Sequence, residues 1–174
     1  MKRLLVATLA LGALTGLAGC SNVRPLYGSV ALPGGAAPVN ERMRYVDVAL
    51  MEGRVGQKIR NELEFGLSHG GETPKPLYRL DIRYTDNSTP VGVEKQTNIP
   101  AGYLVTLNAS YALTDIATGK TLTYGNSFAN AAYDATNQRF ANVRAARDAE
   151  NRAATVIAQD IRTKIAVFLA THGS

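Results

Sequence analysis

The stretch from residue 103 to residue 113 most narrows the folds open to this chain. Tyr103, Val105, Leu107, Ala109, Tyr111 and Leu113 alternate with Thr106, Asn108 and Ser110. Side chains of a strand point to opposite faces in turn. This alternation therefore specifies a strand with one face in a core and the other in water. A sheet wetted on one side is a feature of antiparallel rather than wholly parallel architectures. Residues 77–85 repeat the pattern, with Tyr78, Leu80, Ile82 and Tyr84 on one side and Arg79, Asp81 and Arg83 on the other. Residues 45–50 alternate as well, Val46, Val48 and Leu50 against Tyr45, Asp47 and Ala49. After a glycine-containing loop, Asp115 to Lys120, residues 121–128 return as the fourth strand of a hairpin. Residues 86–100 are polar, contain Pro90 and Pro100, and read as a long connection.

Two segments change period. Val55, Ile59, Leu63 and Leu67 recur every four residues and stack on one helical face, with Gly70 and Gly71 as a stop. Residues 137–170 form the second helix. Ala146, Ala149, Ala153, Val156, Ile157, Ile161, Ile165 and Phe168 make its apolar stripe, and Asp148 is spaced to pair with Arg144 or Arg152. The order is β-α-β-β-β-α. The economical arrangement is an α+β two-layer sandwich: about four strands in a mainly antiparallel sheet, with two helices packed on its apolar face.

The start of the chain sets its compartment. Lys2 and Arg3 precede an uncharged run from Leu4 to Leu17, which ends in Leu17-Ala18-Gly19-Cys20. This is the layout of a secretory signal peptide, too short to span a bilayer comfortably. Leu17 to Cys20 also resembles the bacterial lipobox, which implies cleavage before Cys20 and lipidation of its thiol and new amino group. Cys20 is the only cysteine, so no internal disulfide competes for it. Two or more acyl chains make a lasting anchor. Ser21 in place of aspartate favours the outer membrane, on its periplasmic side. Residues 1–19 are thus expected to be a signal peptide and residues 20–43, rich in proline and glycine, a lipidated N-terminus and extended tether. Residues 44–174 form the domain. Without Lys2 and Arg3 the chain keeps 17 basic against 14 acidic side chains. That is a mild, scattered excess with no nucleic-acid signature.

Catalytic groupings are not legible. The two histidines, His69 and His172, have no metal-ligand spacing, and Gly119-Lys120-Thr121 lacks the upstream glycine of a phosphate-binding loop, Thr114 standing there instead. The expectation is a protein that is not an enzyme and needs neither metal nor cofactor. Its eight tyrosines read as sheet packing with hydroxyls reaching water.

Several stretches carry a family resemblance. Arg24 to Tyr27 (Arg-Pro-Leu-Tyr) follows the lipobox, and Val55 to Leu63 opens the first helix. Leu107 to Leu113 is followed by Asp115 and Thr118-Gly119, and Phe140-Ala141-Asn142 precedes Asp148 to Ala154. In this order they resemble the lipopolysaccharide-assembly lipoprotein family LptE, in its alphaproteobacterial form. The resemblance implies a sheet with two helices against it. It also implies a protein that plugs the outer-membrane β-barrel LptD, helps it assemble, and binds lipopolysaccharide on its way to the outer leaflet. A plug in a watery lumen needs a polar outside, which Asp47, Arg79, Asp81, Arg83, Thr106, Asn108 and Ser110 supply. Lys95 and Lys120, near strand ends, are candidate contacts for the glycolipid's phosphates. The alternative is an auxiliary binding lipoprotein of another envelope lipid-transport system.

Overall fold

The computed structural model describes residues 38–68, 74–93 and 100–172. Cys20, Lys95, His69 and the glycine pair at 70–71 lie outside the described residues. The elements run α1 (Val39–Met43), β1 (Val46–Val48), α2 (Gly53–Ser68), β2 (Tyr78–Val93), β3 (Pro100–Asp115), β4 (Thr121–Asp134) and α3 (Arg139–His172). The sheet order is β1-β2-β3-β4. β1 pairs parallel with the start of β2, Val46 opposite Tyr78 and Val48 opposite Leu80, and α2 is the crossover that a parallel pair requires. The other two pairings are antiparallel. This is the α+β sandwich expected from the periodicities, with its helices on one face of a mixed sheet.

Strand alternation is carried through into burial. Val105, Leu107, Ala109, Tyr111 and Leu113 are buried, and Asn108 and Ser110 are exposed. The register sets Val105, Leu107 and Ala109 of β3 against Ala131, Ala129 and Ser127 of β4. These small β4 residues let the long α3 lie close over both strands. Ala149, Ala153, Ala154, Ile157, Ala158, Ile161, Ile165, Ala166 and Leu169 form its buried stripe. Val156, expected in that stripe, is instead half exposed, and Leu169 takes part. α2 contributes Val55, Ile59, Leu63 and Leu67 as its four-residue repeat requires.

Two sequence expectations are overturned by the sheet. Residues 86–100 do not form a long loop: β2 continues to Val93 and β3 starts at Pro100. Proline inside a strand removes a ladder donor, and the register explains why Pro90 is harmless. Leu80 turns its carbonyl to the β1 side, accepting from the Ala49 amide at 3.0 Å. The unbroken pairing from Leu80–Leu113 to Pro90–Tyr103 then sends every even-numbered backbone group of β2 the same way. β1 ends at Val48, so Pro90 faces an open edge where no donor is needed. Likewise β4 runs on to Asp134 rather than stopping at Phe128.

Smaller differences follow from packing. Leu50 is 87 % exposed because β1 ends before it. The tether expected up to residue 43 ends in the five-residue α1, whose Met43 is wholly buried and whose Arg42 hydrogen-bonds the Leu169 carbonyl. Asp148 pairs with Arg152 (2.9 Å). The β3–β4 loop closes as a tight turn. Thr118 donates its amide (2.8 Å) and hydroxyl (2.9 Å) to the Asp115 carboxylate, and Gly119 takes the left-handed φ of +67° that this turn demands.

Candidate functional surface

No helix covers the outer sheet face. Its rows cross three strands: Asp81–Ala112–Tyr124, Arg83–Ser110–Asn126 and Thr85–Asn108–Phe128. Every polar residue expected to form a hydrophilic outside lies on it. Arg79, Asp81, Arg83, Asn108 and Ser110 are exposed, and Asp47 and Thr106 are partly so. Arg79 Nε reaches Asp81 Oδ1 at 3.3 Å, whereas Arg83 has no ion-pair partner among the described residues. Two exposed aromatics of β4 also lie here: Tyr124 (81 %), one of the strand tyrosines expected to reach water, and Phe128 (72 %), which its apolar character alone would have put in the core. Shallow grooves run between these rows.

A second surface is built where α3 begins. The turn from β4 is fixed by Asn142. Its side-chain oxygen accepts from the Thr136 amide (2.8 Å) and hydroxyl (3.1 Å), and its Nδ2 donates to the Thr136 carbonyl (2.7 Å). This fixes the first turns of α3 over Tyr103 and Tyr133, which stack at 5.4 Å with a 17° tilt. An open groove lies there, bordered by the two tyrosines, Asn137, Arg139 and Asn142.

The first turns of α3 carry Arg139, Phe140, Val143, Arg144 and Arg147 within one helical arc that begins at this groove. All five are exposed, Phe140 at 85 %. None of the three arginines has an ion-pair partner among the described residues, because the nearby carboxylates of Asp148 and Glu150 are held by Arg152 and Arg54. The first turn has no acidic residue. Cations there oppose the positive end of the helix dipole, so the fold gains nothing from them. Guanidinium groups are suited to phosphate, and an exposed apolar ring beside them suits an anionic amphiphile. The sequence signal was present, three arginines with no acid at a helix start, but Arg144 was read only as an ion-pair partner.

Of the two lysines singled out from the sequence, Lys120 is exposed in the β3–β4 turn and Lys95 lies outside the described residues. Among the described residues, no group of three or more His, Cys, Asp or Glu side chains could hold a metal, and no helix is long and apolar enough to cross a membrane.

Comparison with known proteins gives a consistent result. The family model described as LptE, lipopolysaccharide-assembly, matches residues 39–165. No curated protein matches in sequence. Three solved structures share the fold. A lipoprotein candidate from Caulobacter crescentus CB15 is 22 % identical, with a TM-score of 0.64 over 76 % of this chain and 96 % of that one. A minor lipoprotein from Acinetobacter baumannii is 14 % identical, with a TM-score of 0.54 over 70 % and 88 %. The rare lipoprotein B from Shewanella oneidensis is 12 % identical, with a TM-score of 0.55 over 72 % and 94 %.

Proposed function

Because the chain belongs to the LptE family of lipopolysaccharide-assembly proteins, we propose that it works at the outer membrane as the lipid-anchored plug of an LptD-like barrel. In this reading the signal peptide is removed and Cys20 carries the acyl chains on the periplasmic side. The domain then sits in the barrel lumen and takes part in passing lipopolysaccharide to the outer leaflet. The uncovered polar sheet face supports the plug, since a water-filled lumen accepts a hydrophilic wall. It acts by binding and positioning rather than by catalysis.

The observation that carries lipopolysaccharide contact is the exposed start of α3, with Arg139, Arg144 and Arg147 around Phe140. It offers donors to phosphates and an apolar ring to the lipid part. Lys95, outside the described residues, is the lysine proposed for that contact. The test has two arms. Crosslinking in cells should recover a large outer-membrane barrel; recovery of an inner-membrane ATP-driven complex instead would make this an accessory of another lipid-transport system. Arg139→Glu/Arg144→Glu/Arg147→Glu should weaken saturable binding of purified lipopolysaccharide by roughly tenfold and flatten its salt dependence. Unchanged affinity would remove the arginines from the site. Loss of membrane fractionation in Cys20→Ala, with loss of acyl label, checks the anchor.

A further inference from the structure

The opposite end of the molecule has a different chemistry. There β2 and β4 begin, while β3 and α3 finish. Leu77 and Ile116 stand together at this tip, the Ile116 amide donating to the Leu77 carbonyl at 3.0 Å. Their exposures are 51 % and 49 %. Lys75 and Lys120 flank them, both exposed and neither with an ion-pair partner among the described residues. The carboxylate of the turn, Asp115, is directed back onto its own loop, accepting from the Thr118 amide and hydroxyl. The tip therefore combines two aliphatic side chains with two ammonium groups that are unpaired among the described residues.

The chain enters the fold at this same end. The Tyr45 carbonyl accepts from the amides of Leu77 (2.9 Å) and Tyr78 (3.1 Å), and α1 immediately before it is tied to the last turns of α3 through Arg42. Two half-exposed aliphatics fall far short of the roughly 1,000 Å² that a stable protein interface needs. They do match the shallow interfacial insertion of peripheral proteins, in which apolar tips enter the headgroup layer and lysines face lipid phosphates.

We propose that this tip, Leu77 and Ile116 with Lys75 and Lys120, rests on the headgroups of an anionic phospholipid bilayer. The contact goes beyond the proposed function and stands without a barrel or lipopolysaccharide. The chain contains no tryptophan, so Ile116→Trp gives a single reporter, Leu77→Trp a second should the first fail to fold, and Val91→Trp one at the far end. The full chain is mixed with vesicles of phosphatidylglycerol and phosphatidylcholine carrying bromine atoms high on the acyl chains. Emission at 116 or 77 should drop about twofold while that at 91 holds. Adding Lys75→Glu and Lys120→Glu should raise the vesicle concentration needed for quenching by at least about fivefold. Tips quenched no more than position 91, or quenching equal when phosphatidylglycerol is left out, overturn the proposal.

Discussion

Gly102 sits where β3 and β4 begin to separate, and a Cβ placed on it would meet the Tyr133 carbonyl oxygen at 2.8 Å. Backbone cannot yield as a flexible side chain does, so Gly102→Ala should destabilise the fold by about 1–3 kcal/mol in urea unfolding. A second residue-scale effect lies under β4, where Lys164 Nζ reaches Asp160 Oδ2 at 2.7 Å. Burial by itself would raise the Asp160 pKa, but the Lys164 hydrogen bond, the neighbouring Ser127 hydroxyl and the Lys164 charge together outweigh it and the pKa is lowered. A carboxyl depressed by folding binds its proton more weakly in the folded chain than in the unfolded one. Its stabilisation is then complete above the unfolded value, about 3.9, and is lost as pH falls through the folded value. Melting temperatures taken from about pH 6 down to about pH 2 should therefore fall in the wild type below roughly pH 4, and less steeply in Asp160→Asn. Equal slopes would show that Asp160 is not linked to folding.

At the scale of elements, the two sheet edges are treated differently. An exposed edge is a template for pairing with another chain. Along β4 two outward carbonyls are occupied by α3: Lys164 Nζ donates to Asn126 O (2.7 Å) and Arg152 Nη2 to Ala132 O (2.9 Å). The β2 edge beyond β1 is guarded by Pro90, which offers no donor, and by the exposed Asp86. Lys164→Ala/Arg152→Ala should uncover β4 and promote self-association, read by sedimentation velocity. A variant that stays monomeric at high concentration would show that the helix does not protect this edge. Legibility differs among elements for the same reason. Helix α2 was plain in the sequence because its four-residue repeat is buried against one surface. The far half of β2 was hidden because it is exposed throughout, so no alternation marks it; that of β4 alternates under α3, but its buried side is only Ser127, Ala129 and Ala131, too small to stand out in sequence.

Across the whole molecule, the 34 residues of α3 span about 51 Å, as long as β3, whereas the 16 of α2 span about 24 Å. One core runs beneath α3 from Ala149 to Leu169. Ile161→Ala, at a fully buried position, should cost about 2–5 kcal/mol in a single cooperative transition, and Val156→Ala, half exposed, far less; comparable losses in chemical denaturation would contradict this core. Mismatched lengths also give the molecule its two distinct ends. One holds the arginines of α3, the other the Leu77–Ile116 tip beside which the chain enters.

What the amino-acid order determined was local: the period of each element, the face it buries, the turn at Asp115 and the resemblance of Leu17 to Cys20 to a lipobox. Those signals are carried by neighbours within a few residues, so a linear reading captures them. Tertiary structure alone decided how far β2 and β4 extend and why Pro90 is tolerated. It also decided that Arg139, Arg144 and Arg147 are left without partners while Arg152 and Lys164 reach across to β4. Each of these depends on which groups the register and the length of α3 bring within reach, and no spacing along the chain encodes that.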